Sequence, residues 1–252
     1  MKYEIFSSTI VGYKNKSKNN KSQDFVDYKK IDKGVICAIA DGHSTRFFEY
    51  SDQGAKFACK VSVDILEQYI YKSKEEVEGL LQEGIIQKEI HIKWMDMVNN
   101  HYKNNNPKVF KTEYIKYSTT LISTIITENL TLFLKIGDGK IILKKNDVYE
   151  SILETDNKSI VDSLGRFDSF NNIHYKIDKS NIYNNDNIIL CTDGYNNSFS
   201  TDMELFASLE KTINKYDKSI FSRYLLYREY KKYLYHLSKN YSLDDISIVF
   251  IF

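Results

Sequence analysis

The sequence predicts an α+β protein whose sheets are covered on both faces. Three observations predict it. Strand-like runs stand toward both ends of the 252-residue chain, with helical stretches between them. VICAIA, NIILC and ISIVFIF are apolar at consecutive positions, the pattern of strands buried on both sides. Between them, turn dipeptides separate short apolar runs into an antiparallel meander.

Taken in order, residues 34–40 (GVICAIA) form an apolar run that stops at Asp41-Gly42 and reads as a buried strand. A helix is predicted over 52–71, because Ala55, Ala58, Cys59, Ser62, Leu66 and Tyr69 share one face. Ser51 is its expected N-cap, and Asp52 suits the positive helix start. Residues 75–102 are helical in pattern, with Leu81, Ile85, Trp94 and Val98 apolar. The length of that stretch predicts a break near Gly84.

Strands are expected over 119–127 and 130–136, joined at Glu128-Asn129. Another follows over 140–144, after Gly137-Asp138-Gly139, and Asn146-Asp147 opens a further turn. Residues 156–172 are polar and irregular, and 173–177 read as a strand. The apolar strand 187–191 ends at Thr192-Asp193-Gly194. Helices over 202–216 and 218–239 precede a last strand over 246–252. No repeat or linker divides the chain, so one domain spanning 1–252 is expected.

Charge excludes some classes. The 35 Lys and Arg nearly cancel the 34 Asp and Glu, leaving +1. That balance argues against a nucleic-acid partner, and no basic run marks a membrane surface. No segment has the length of a membrane span, and residues 1–10 lack a signal-peptide core. Cys37, Cys59 and Cys191 are odd in number and lack metal-ligand spacing, so a reduced, cytoplasmic protein is expected.

The informative residues are aspartates at strand ends. Asp41 and Asp193 each close an apolar strand, and Asp244 and Asp245 stand just before the last one. In an antiparallel pair, the end of one strand lies beside the start of the next, so these carboxylates can meet at one edge. By alternation, Cys37 and Ile39 share a face with Asp41, and Ile189 and Cys191 share one with Asp193. Both carboxylates are thereby expected in the inter-sheet space. Crowded carboxylates cannot all stay ionised without a cation, and hard oxygen ligands favour Mg²⁺ or Mn²⁺. Taken singly, each Asp-Gly pair is also ordinary turn chemistry, as is Asp138 in its hairpin.

ADGHSTRFFEYSDQGAKFA resembles the DGHG-containing segment of the PP2C-type, metal-dependent protein phosphatase family. Tyr117-Ser118-Thr119-Thr120-Leu121 is similar to the family's Gly-Thr-Thr segment, and Lys135-Ile136-Gly137-Asp138-Gly139 to its GD turn. Leu190-Cys191-Thr192-Asp193-Gly194-Tyr195 is similar to its TDG segment, and Asp244-Asp245-Ile246-Ser247 to its terminal DN/DD segment. Gln23-Asp24 stands where the N-terminal acidic pair belongs, in the style of a bacterial branch with a Gln-Asp pair. The matches run in order from about Gly12 to Phe252. No single one is specific; together they carry the resemblance.

The resemblance implies a four-layer α-β-β-α sandwich of two antiparallel sheets, with two Mn²⁺ or Mg²⁺ ions at one end and a third more weakly held. Asp41 would bridge the two ions and so hold the attacking water. The Gly42 carbonyl, Asp193 and Asp244 would complete the shells, with Asp24 and Gln23 also among the ligands. Asp138 would serve the third ion. His43 would protonate the leaving serine or threonine oxygen; read alone, it is also an ordinary loop residue. The implied substrate is a phosphorylated protein, such as a cognate serine/threonine kinase or its target.

The chain departs from the pattern in places. Gln23 replaces a glutamate, Ser44 replaces a glycine, and Asn15 stands where the branch often has histidine. Asn19 occupies the place of the phosphate-binding arginine. Arg46 is the alternative guanidinium for phosphate, or else a surface charge. Only residues 156–170 offer a counterpart to the family's flap. Two other readings stay open: a catalytically silent module that binds a regulatory phosphoprotein, and a phosphohydrolase acting on small molecules.

Overall fold

The computed structural model describes residues 3–32, 34–154, 161–178 and 186–252. The chain runs β1 (Ile5–Ile10), α1 (Tyr13–Ser17), β2 (Asp24–Ile31), β3 (Gly34–Asp41), α2 (Ser51–Glu67), α3 (Lys74–Gln82) and α4 (Ile85–Asn105). It continues through β4 (Leu121–Thr127), β5 (Thr131–Ile136), β6 (Lys140–Lys145), β7 (Val148–Ile152), β8 (His174–Asp178) and β9 (Asn187–Cys191). It closes with α5 (Asp193–Asn196), α6 (Asp202–Lys218), α7 (Ile220–Leu237) and β10 (Ile246–Ile251).

The strands form two antiparallel five-stranded sheets, ordered β1-β10-β9-β6-β7 and β2-β3-β4-β5-β8. The doubly apolar strands explain the layering. In β3, Val35, Cys37 and Ile39 face the other sheet and meet Leu190 and Val249. Ile36, Ala38 and Ala40 face outward, onto a layer holding Ala58 of α2 and Trp94 of α4. In the second sheet, Ile189, Cys191 and Phe250 face a layer holding Leu209 of α6 and Leu234 of α7. The result is the expected α-β-β-α sandwich.

The break near Gly84 is present. Gly84 takes a left-handed φ of +70° between α3 and α4. The Ser51 cap is corrected. Tyr50 occupies the N-cap and makes no side-chain cap, while Ser51 lies inside the helix and donates its hydroxyl to the His43 carbonyl at 2.9 Å. β1 and β2 have no counterpart in the sequence reading. Both are edge strands, with Ser7, Ser8 and Thr9 in β1 and Asp27, Lys29 and Lys30 in β2, so apolar continuity is missing where only one neighbour covers the strand.

The three cysteines are buried and unbridged. Among the described residues, no helix is long and apolar enough to cross a membrane. Of the irregular stretch 156–170, residues 156–160 lie outside the described residues. Further on, Leu164 exchanges backbone hydrogen bonds with Thr119, at 2.9 and 3.3 Å, beside the end of β3.

Candidate metal centre

The register of β2 on β3 sets Asp24 directly opposite Asp41. Two threonines ahead of β4 hold Asp41 by its backbone. The Asp41 amide donates to Thr120 Oγ1 at 3.0 Å, and its carbonyl accepts from the Thr120 amide at 2.8 Å and from Thr119 Oγ1 at 2.9 Å. Gly42 must be glycine, because a Cβ there would lie 2.5 Å from the Ser51 carbonyl oxygen.

The other sheet supplies Asp193 and Asp244. Asp193 arrives by a route that strand alternation does not describe. Ile189 and Cys191 face α6 and α7, so an Asp193 continuing β9 would point away from Asp41. The strand instead ends at Cys191, and Thr192 turns the chain into α5. That turn brings the Asp193 carboxyl within hydrogen-bonding reach of Asp41. Thr192 Oγ1 also donates to Asp24 Oδ2 at 2.9 Å, tying the two sheets together at the site. On the far side, Leu243 takes a left-handed φ of +64° immediately before Asp244, a costly conformation for a leucine.

These carboxyls lie in one another's field. Burial, reinforced by Asp24, Asp193 and Asp244, raises the Asp41 pKa well above the usual carboxylate range. Burial also raises Asp193, to about 6, with Asp138 and Asp244 adding to the shift. Asp24 is raised by burial and by Asp245. Two oxygens, Asp24 Oδ1 and Asp193 Oδ1, are buried with no hydrogen-bond partner. Among the described residues, no three acidic, histidine or cysteine side chains are drawn into a tight metal-holding group. Orphaned anionic oxygens under mutual repulsion are the donor set that a hard divalent cation satisfies, so the residues present fit the implied ions.

His43 follows on the loop after β3. Its ring is half-buried against Phe48, with centroids 4.8 Å apart. Burial lowers its pKa, and the charge of Asp138 opposes that shift. Asp138 itself sits on the β5–β6 turn. There Gly137 has φ +109°, and a Cβ would lie 2.5 Å from Thr120.

Residues 11–227 match the family model of protein phosphatase 2C. The chain belongs to the protein phosphatase 2C family. No curated protein sequence matches it. Solved structures share its fold at low identity. A bacterial serine phosphatase is 14% identical, with 99% of this chain and 97% of the other covered and a TM-score of 0.66. The S. agalactiae serine/threonine phosphatase is 14% identical, with 100% and 99% covered and a TM-score of 0.61. The catalytic domain of the serine/threonine phosphatase PstP, in complex with two manganese ions, is 13% identical, with 99% and 97% covered and a TM-score of 0.60.

In this phosphatase 2C chain, Gln23 and Arg46 both belong to the surroundings of the loop after β3. Gln23 clasps that loop. Its Nε2 donates to the His43 carbonyl and to Ser51 Oγ, both at 2.7 Å, and its Oε1 accepts from Asn15 at 3.3 Å. Arg46 is exposed and makes no hydrogen bond or ion pair among the described residues. Lys14, absent from the sequence reading, reaches the same loop, with Nζ 3.1 Å from Ser44 Oγ.

Asp245 was also missed as a separate element. It is 2% exposed, and its carboxylate accepts from the Gly12 amide (2.6 Å), the Gln23 amide (2.7 Å) and Asn15 Nδ2 (2.9 Å). It anchors α1 and the start of β2 beside the site. The sequence signal was the Asp244-Asp245 doublet, whose second carboxylate also lies in the field of Asp24.

Two expected results follow from this geometry. Gln23→Glu places a carboxylate against the His43 carbonyl and removes the donor that held it. Turnover should fall about 10- to 100-fold, as for other residues that orient a metal site from outside it. The Mn²⁺ concentration for half-maximal activity should not fall; a clear decrease would restore Gln23 as a ligand.

The second concerns pH. A carboxyl with a raised folded-state pKa binds its proton more tightly in the folded chain than in the unfolded one. Its contribution to metal-free stability is complete below the ordinary value of about 4 and is lost as pH rises through the folded value, about 6 for Asp193. The melting temperature in chelator should therefore fall between pH 4 and pH 7, and Asp193→Asn should flatten the slope. Calorimetry showing wild type and variant with the same slope would refute this.

Proposed function

We propose that the chain is a metal-dependent protein phosphatase that hydrolyses phosphoserine and phosphothreonine. The observation that carries this reading is the meeting of Asp24, Asp41 and Asp193 from two sheets, with two buried carboxylate oxygens unpartnered. Asp41, Asp193 and Asp244 would hold divalent cations, Mn²⁺ or Mg²⁺, with the Gly42 carbonyl and Asp24 beside them and Asp138 nearest a further, weaker position. Bound there, such ions supply the positive charge that acidifies an attacking water and neutralises phosphate oxygens.

The chain's own residues do the rest. Thr119 and Thr120 fix Asp41 through its backbone. His43, with its pKa lowered by burial, passes a proton to the departing serine or threonine oxygen. Lys14, held at Ser44, and Arg46, exposed on the same loop, offer phosphate positive charge. The manganese complex of PstP supports the choice of cation, and phosphatase relatives support a phosphoprotein substrate, for instance a cognate kinase or its target.

The test is hydrolysis of a phosphopeptide after metal stripping. Activity should vanish with chelator and return on adding Mn²⁺ or Mg²⁺. Full turnover in verified metal-free protein would overturn the mechanism. A correctly folded, metal-loaded chain that binds phosphopeptide without cleaving it would favour the silent binding module.

A further inference from the structure

α6 and α7 run side by side on the outer face of the second sheet, and a groove of about 870 Å³ lies between them. That volume falls in the range of small-ligand sites. The groove is polarised along its length. At the end where α6 finishes and α7 begins, Lys211, Lys215 and Lys218 line one wall. Their spacing puts them on one helix face. None has an ion-pair partner among the described residues.

The acids of the same groove are committed elsewhere. Glu229 pairs with Arg228 at 2.9 Å and Lys232 at 3.3 Å, and Glu204 accepts from the Ser200 amide at 2.9 Å. At the opposite end, Phe199, Leu237, Tyr233 and Tyr241 supply aromatic and apolar surface, with Ser198, Ser200 and Glu204 at its edge.

The floor between the two ends is closed by packed side chains. Tyr230 is only 3% exposed there, beside Thr212 and Tyr195.

We propose that this groove binds an anionic amphiphile, with its carboxylate or phosphate head among Lys211, Lys215 and Lys218 and its apolar chain lying toward Phe199 and Leu237. The inference does not depend on the phosphatase reading.

The test is calorimetric titration of the full chain with dodecanoate and dodecyl phosphate below their micelle concentrations, beside dodecanol and butyrate. At least one of the two anionic probes should saturate one site per chain, and dodecanol and butyrate should bind at least tenfold more weakly. The stronger of the two anionic probes identifies the head. Lys215→Glu with Lys218→Glu should weaken binding at least tenfold. Ala207→Trp, an exposed position on the groove wall, should block the chain. Thermal unfolding checks that both variants are folded. Absence of saturable binding, equal binding of dodecanol, or affinity unchanged in both variants would overturn the proposal.

Discussion

Asp41→Asn should abolish turnover while leaving the protein folded. The asparagine keeps the shape and the backbone bonds to Thr119 and Thr120, so β3 and β4 should stay in register. What disappears is the carboxylate at the meeting point of Asp24, Asp193 and Asp244. The loss should be at least that of removing one transition-state donor, 10²- to 10³-fold in kcat. Calorimetric titration with Mn²⁺ should show weakened binding alongside. Thermal stability in chelator should hold or rise, because a neutral side chain replaces one whose charged form burial penalises. Unchanged Mn²⁺ binding in this variant would remove Asp41 from the centre of the site.

His43→Ala should separate leaving-group chemistry from metal holding. Serine and threonine oxygens are poor leaving groups and need a proton as the bond breaks; an aryl oxygen leaves without one. General acid catalysis contributes about 10²- to 10⁴-fold, so phosphopeptide turnover should fall by that order. Hydrolysis of an aryl phosphate should fall far less, and Mn²⁺ affinity should hold. The alternative is that His43 only shapes its loop. Its carbonyl takes bonds from Gln23 and Ser51, and its amide donates to Ser118 at 3.3 Å. Those are backbone bonds that alanine keeps. Equal losses on both substrates would therefore remove His43 from the chemistry.

The legible parts of this protein were those where neighbouring residues repeat one message. β3, β9 and β10 are apolar throughout because helices cover one face and the opposite sheet covers the other. β1 and β2 were illegible because an edge strand is only partly covered and tolerates Ser, Asp and Lys. Asp41 was found with its correct face, since β3 reaches it unbroken. Asp193 was found at the right place by a wrong route, because alternation fails once Thr192 leaves the strand. The clasp made by Gln23 was not legible, because an amide beside a site can serve it as ligand or as clasp. The choice depends on where Asn15 and the His43 carbonyl lie. Those partners are 8 and 20 residues away in sequence, and no local pattern reports them.

The Asp245 carboxylate joins positions 12, 15 and 23 to position 245, and among the described residues β1 has β10 as its sole strand neighbour. A growing chain therefore completes the β2–β5 meander early and leaves its first strand unpaired until its last is made. Loops of more than 200 residues close late, since their entropy is lost before any contact is gained. Cation-holding competence should appear as the final event of folding, together with the docking of β10. A chain whose β10 is not yet docked would carry Asp24 and Asp41 without Asp244 in place, and its site for attacking phosphate would be incomplete until the fold is closed.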